Sequence, residues 1–145
     1  MTNSIIGDYS NGWLTFKLGD YRCSASYLNR TPEDILDACI NFYKTSHPQV
    51  VKIDEEELGE TILIIDRTCC IIKDDKCYWF DYEFSAHYVA QVIVGDVIKG
   101  IDKIVDEFYC GLYGSKRQAT KRLTYKYCHL NKLIKEGYWW IKSIN

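Results

Sequence analysis

The chain holds no apolar run long enough to cross a bilayer. Its longest apolar stretch, Tyr88 to Val94, already contains Gln91, and a spanning helix needs about 20 such residues. No basic, apolar, small-residue leader opens it, so a cytoplasmic location without membrane association is expected. CxxC is absent. Seven cysteines stand at 23, 39, 69, 70, 77, 110 and 128, an odd number, and adjacent Cys69 and Cys70 face opposite sides of a strand. That is a poor disulfide framework, so seven reduced, mostly buried thiols are expected. The nine glycines are scattered and form neither GxGxxG nor a P-loop, which excludes the usual phosphate-cradling loops. No repeat, low-complexity linker or composition break divides the 145 residues. A single domain, 1–145, follows.

What is present is an ordinary balance of 47% hydrophobic and 26% charged residues, enough for a core and a wet surface. The net charge of −2 conceals a split. Residues 1–115 carry 10 Lys/Arg against 19 Asp/Glu, whereas residues 116–145 carry 8 Lys/Arg against the single acid Glu136. Such asymmetry points to charged partners, or to the tail docking on the body.

Residues 12–28, "GWLTFKLGDYRCSASYL", alternate apolar and polar on both sides of Gly19-Asp20. A two-residue type II′ hairpin, with Gly19 at positive φ, pairs Leu18 with Tyr21, Phe16 with Cys23 and Leu14 with Ala25 on one face. Lys17 then meets Arg22, Thr15 meets Ser24 and Trp13 meets Ser26 on the other. A one-residue slip would invert both faces.

"TPEDILDACINFYK" reads as a helix with Thr31 as N-cap, Pro32 in the first turn and acids at the positive end. Ile35, Cys39, Phe42 and Tyr43 form its inward stripe, and "TSHP" ends it near Lys44. "QVVKI", "TILIIDR", "CCII" and "CYWFDYEF" read as strands, with "DEEELGE" a charged loop tip and "KDDK" a turn. Residues 85–95 fit strand or helix. The favoured reading is a strand over 88–94, then a helix capped by Asp96 with Val97, Ile101, Ile104, Val105, Phe108 and Leu112 on one face. Gly100 weakens that helix by about 1 kcal/mol relative to Ala. "CHLNKLIKEG" predicts a short helix ending at Gly137, and "YWWIKSI" an edge strand. The expected fold class is α+β: a mainly antiparallel sheet built from hairpins, with two main amphipathic helices on one face. Phe16, Cys23, Cys39, Phe42, Ile101, Ile104 and Phe108 are expected to share its core.

Three constellations carry candidate chemistry. Cysteines and the three histidines, His47, His87 and His129, lack the paired short spacings of a zinc site, so no metal is expected. A Cys–His nucleophile needs a proximity that the spacing does not supply. The acids Asp54, Glu55, Glu56, Glu57 and Glu60 cluster in seven residues, with Asp74, Asp75, Asp81 and Glu83 near a second hairpin. Consecutive acids repel and stay solvated. They suit an exposed loop or an anionic docking surface better than a paired-carboxylate hydrolase. The tail interleaves bases with Tyr125, Tyr127, Trp139 and Trp140. That pattern could stack single-stranded nucleic acid, yet no RNP, KH or helix-turn-helix pattern accompanies it.

"GWLTFKLGDYRCSASYL", "TPEDILDA" and "VIVGDVIKGIDKIVDEF" together resemble a group of small, mostly uncharacterised bacterial α+β proteins. Members open with such a hairpin, continue with a Pro-Asp-type helix start, and later run into an amphipathic helix. Some are similar to immunity proteins that accompany polymorphic or contact-dependent toxins. The resemblance covers core and turn residues in about 12–45 and 88–112, and it carries no catalytic motif.

The resulting expectation is a non-enzymatic cytosolic binding protein, an immunity protein that occludes a cognate toxin with a basic surface. Its partner-binding residues would be Asp54, Glu55, Glu56, Glu57, Glu60, Asp74, Asp75 and Tyr82, with no catalytic residue and no cofactor. The alternatives are a small enzyme or ligand-binding domain with a Cys/His or carboxylate site, and a nucleic-acid binder acting through the basic C-terminal segment.

Overall fold

The computed structural model describes the backbone of residues 4–143 and side chains from Ser4 to Gly137. The opening alternation forms the hairpin of β2 (Trp13–Leu18) and β3 (Tyr21–Ser26), in the expected register from Leu18 opposite Tyr21 to Trp13 opposite Ser26. Gly19 sits at φ 56, and Asp20 stays out of the positive region, as a type II′ turn requires. Leu14, Phe16, Leu18, Cys23 and Ala25 are buried together. β1 (Ile6–Ser10) pairs antiparallel with β2 and completes a three-stranded sheet.

α1 (Thr31–Thr45) buries Ile35, Cys39, Phe42 and Tyr43 as expected, and Ser46 at φ 62 closes it. Arg30, not Thr31, occupies the N-cap position without a side-chain cap. Thr31 is inside the first turn, its Oγ1 buried without a hydrogen-bond partner among the described residues. A four-stranded antiparallel meander follows: β4 (Gln49–Asp54), β5 (Glu60–Ile65), β6 (Cys70–Lys73) and β7 (Lys76–Trp79). Asp74 and Asp75, at φ 50 and 66, form the β6–β7 turn, the type I′ geometry that suits strand twist.

The two sheets meet through polar side chains. Tyr21 and Thr61 share a 2.6 Å hydrogen bond between their hydroxyl oxygens, and Ser26 Oγ donates to Asp54 Oδ1 at 3.1 Å.

The strand expected at 88–94 is helix. α2 runs Ala86–Lys103 and continues as a π-helical turn over Ile104–Phe108. Ser85 caps it, accepting from the Tyr88 backbone N–H at 3.3 Å. Val89, Ala90, Ile93, Val94 and Val97 are buried, a helical stripe that the β-branched composition disguises. Asp96 is therefore no cap. It lies in mid-helix, and its Oδ2 accepts from the backbone N–H groups of Ile5 and Ile6 at 2.7 and 3.1 Å, pinning the start of β1. Ile101 is only partly buried, and Leu112 lies past the helix, exposed.

The C-terminal segment corrects the expectation again. α3 spans Lys116–Ser143 as one helix, so residues 138–143 of the expected edge strand are helical. Ser115 and Gln118 form a reciprocal capping box at 3.1 and 3.0 Å, an S-x-x-Q start signal present in the sequence. Ala119, Leu123, Leu130 and Ile134 face the core. Gly137 does not stop the helix; a Cβ there would lie 3.1 Å from the Tyr43 ring, so the glycine lets α3 pass close to α1. The fold is α+β, and α1 touches β4, β5, α2 and α3.

Candidate protein-binding site

The sequence-predicted acids divide in space. The β4–β5 loop, with a single 3-10 turn over Glu56–Leu58, and the β6–β7 turn lie at the same end of the meander. Lys73 ties them, its Nζ reaching Glu55 Oε2 and the Leu58 carbonyl, both at 2.7 Å. Glu56, Glu57, Glu60, Asp74 and Asp75 are exposed there. Asp54 is half-buried and accepts from Ser26 and from the Glu56 backbone N–H. Glu55 is different: only 7% exposed, it is held by Lys73 and by the Thr61 hydroxyl at 2.6 Å. It sits inside the network that joins the sheets, not on the loop surface.

Tyr82 is not with these acids. It lies beyond the far end of β7, in a 3-10 turn over Tyr82–Phe84. This segment is tied to the opposite end of the sheet by Phe80 N–H to the Cys69 carbonyl at 3.2 Å and Cys69 N–H to the Phe84 carbonyl at 3.3 Å.

Between the β2–β3 hairpin tip and residues 78–84 opens a cleft of about 940 Å³, lined by Tyr21, Tyr78, Trp79, Phe80 and Phe84. Three acids, Asp20, Asp81 and Glu83, line it against one base, Arg22. Its walls are packed rings: Tyr21 and Tyr78 lie 5.4 Å apart, and Phe80 meets Phe84 edge-on at 5.7 Å. Gly19 is what lets the hairpin close on this wall, since a Cβ there would meet the Phe80 ring at 2.9 Å. Trp79 is 72% and Tyr82 85% exposed. Of this lining the sequence singles out Asp81 and Glu83, with Tyr82 beside them; the alternation of rings and acids in "WFDYEF" is the signal that joins them to Trp79 and Phe84.

Trp79 also belongs to the outer face of the meander. The register places Val50, Ile62, Ile64, Ile72, Cys77 and Trp79 on that side, away from buried Val51, Ile53, Leu63 and Ile71. Val50 is 59% exposed. A sheet face that is apolar apart from Lys52, on the strand farthest from β7, thus runs into the aromatic cleft at Trp79.

A second cleft, about 390 Å³, lies between α1 and β4 and is lined by Asp34 and Asp37. Burial, reinforced by Asp37 and Glu33 against Arg30, pushes the Asp34 carboxyl up to about 6. Burial raises the Cys23 thiol to about 11 and Cys39 well above its ordinary range, which favours the unreactive thiol at these two positions; Cys77, Cys110 and Cys128 are exposed. Among the described residues, no three His, Cys, Asp or Glu side chains converge as metal ligands, and all seven cysteines are free.

The basic helix is partly engaged by the body. Arg122 grips Glu33 with hydrogen bonds of 2.7, 2.8 and 2.9 Å. Lys126 bridges Glu33 and Asp37 at 2.9 and 3.0 Å. Tyr109 OH donates to Glu33 at 2.9 Å. Tail docking on the body therefore accounts for part of the charge split. Tyr125 is exposed and Tyr127 packs against the core, while the side chains of Trp139 and Trp140 lie outside the described residues.

Fold and cleft together define a class: an α+β chain with an acid-lined aromatic cleft beside an open sheet face. No protein-family model, curated protein or solved structure matches it. Among the described residues, no helix is long and apolar enough to cross a membrane.

Proposed function

We propose that this chain is a non-enzymatic binding protein that holds a basic protein partner by occlusion, as an immunity protein holds a toxin. The observation that carries the reading is the cleft between the hairpin tip and residues 78–84. It offers exposed ring faces, three acids and one base in a groove wide enough for side chains of another protein. Lys or Arg heads lie favourably over such rings, and acids at the mouth steer a basic partner and speed its encounter. The acids at the sheet end, Glu56, Glu57, Glu60, Asp74 and Asp75, extend the same field, with Asp54 half-buried beside them. Glu55 takes no part in it, because its charge is already paired inside.

The test is a capture experiment from the native cell, using the wild-type chain and an Asp20→Asn/Asp81→Asn/Glu83→Gln variant. The expected result is a basic protein retained by the wild type, lost from the folded variant, and released by added salt. Retention of the same proteins by both, or of an acidic partner, would overturn the reading.

A further inference from the structure

We infer that the free edge of β7 receives an extended, basic–apolar strand of the partner, added as a fifth strand to the meander. This inference rests on the binding reading above and specifies its geometry.

β7 is a sheet edge that no described residue covers. All four of its residues are exposed, and it pairs only with β6. Lys73 faces Lys76 next to a two-residue turn, so that pair exchanges hydrogen bonds across the ladder, and every second pair beyond it does the same. The Phe80 N–H to Cys69 carbonyl bond, at 3.2 Å, falls on that alternation. Cys77 and Trp79 are the pairs between. Their N–H and C=O groups therefore point away from β6, and no described residue bonds to them. Two donors and two acceptors stand open along roughly 10 Å of strand. Proline and bulges, which usually protect an edge, are absent from β7; Lys76 is its one charged residue.

The surroundings specify the occupant. Side chains of an added strand alternate between the two sheet faces. Those beside Cys77 and Trp79 meet the outer apolar face with Ile72 and Ile64, and must be apolar. Those beside Tyr78 meet the cleft with Asp20 and Asp81, and are best basic. Asp74 and Asp75 lie at one end of β7 and Asp81 and Glu83 at the other, so both ends of the added strand favour positive charge. A second copy of this chain fits poorly, because pairing β7 with itself brings these acids against one another.

The probe is an end-capped octapeptide of alternating Val and Lys, titrated by Trp fluorescence and by amide exchange in NMR. Binding should slow exchange at the Cys77 and Trp79 amides at least about tenfold. The same peptide N-methylated at alternate residues should bind at least about tenfold more weakly, with the chain itself unaltered. Cys77→Pro removes one edge donor but no β6–β7 bond, and should weaken binding similarly while keeping the thermal midpoint. Equal binding of the N-methylated peptide, or no protection at Cys77 and Trp79, overturns strand addition. If the Asp20→Asn/Asp81→Asn/Glu83→Gln variant still loses its captured partner, the binding reading survives that failure. Equal binding of a Val–Glu octapeptide would sink the charge argument, and with it both readings. A dimer in light scattering that Cys77→Pro dissociates would replace the partner strand by a second copy and overturn the occupant named here.

Discussion

Replacing Glu33 by Gln removes one charge from the place where α1, α3 and the segment after α2 meet. Glu33 is 1% exposed. Burial alone would raise its carboxyl, but hydrogen bonds from Arg122, Lys126 and Tyr109 overcome this and hold it at about 2 instead of 4.5. That difference corresponds to about 3 kcal/mol of stability at pH 7. The size agrees with the ~3–5 kcal/mol lost when one partner of a buried pair is removed and the other stays behind. The folded carboxyl is the more acidic, so its contribution is complete above pH 4.5 and disappears as pH falls toward 2. Urea unfolding from pH 7 down to pH 2 should show the variant about 3 kcal/mol less stable at pH 7 and level with the parent at the acid end. Glu33→Leu/Arg122→Leu should recover part of the loss relative to Glu33→Leu alone, because no guanidinium is then left unpaired. A Glu33→Gln variant within about 1 kcal/mol of the parent at pH 7, or one with the same acid-limb loss, refutes the reasoning.

Gly100→Ala should destabilise although Ala is the better helix former: the gain of about 1 kcal/mol is outweighed because the new Cβ would lie 2.9 Å from the Tyr9 ring. A raised thermal midpoint would show that Tyr9 yields freely. Glu55→Gln should cost about 3 kcal/mol by leaving the Lys73 ammonium without its counter-charge, whereas Glu56→Lys and Glu57→Lys should change stability by less than about 0.5 kcal/mol. Chemical denaturation of the three variants decides this, and equal effects would contradict the division of the acidic loop into paired and solvated members.

The opening hairpin was readable residue by residue, because period-two alternation, one glycine at the turn and one face to bury leave a single register. The inward stripe of α1 followed for the same reason at period 3.6. Residues 88–94 read as strand because a run rich in Val and Ile satisfies both periods, and only packing among α1, α3 and β1 selects the helix. Gly137 reads as a stop because its sequence context is that of a helix end; its close approach to the Tyr43 ring, on a helix far earlier in the chain, is a fact of helix–helix packing.

Charge was legible as a total and not as a disposition. The acidic body and basic tail are plain in the sequence, but whether they meet each other or a partner depends on which side chains the fold brings within 3 Å. Arg122 and Lys126 meet Glu33; Glu55 meets Lys73; its neighbours Glu56 and Glu57 remain in water. The aromatic cleft is likewise tertiary. Residues 19–22 and 78–84 are some 60 positions apart, and nothing local in either segment requires the other. Local pattern determines which face of an element is apolar, since that needs only the chain's own period. Which elements share a cleft is decided by long-range packing, where one glycine at a hairpin tip lets two distant segments close on each other.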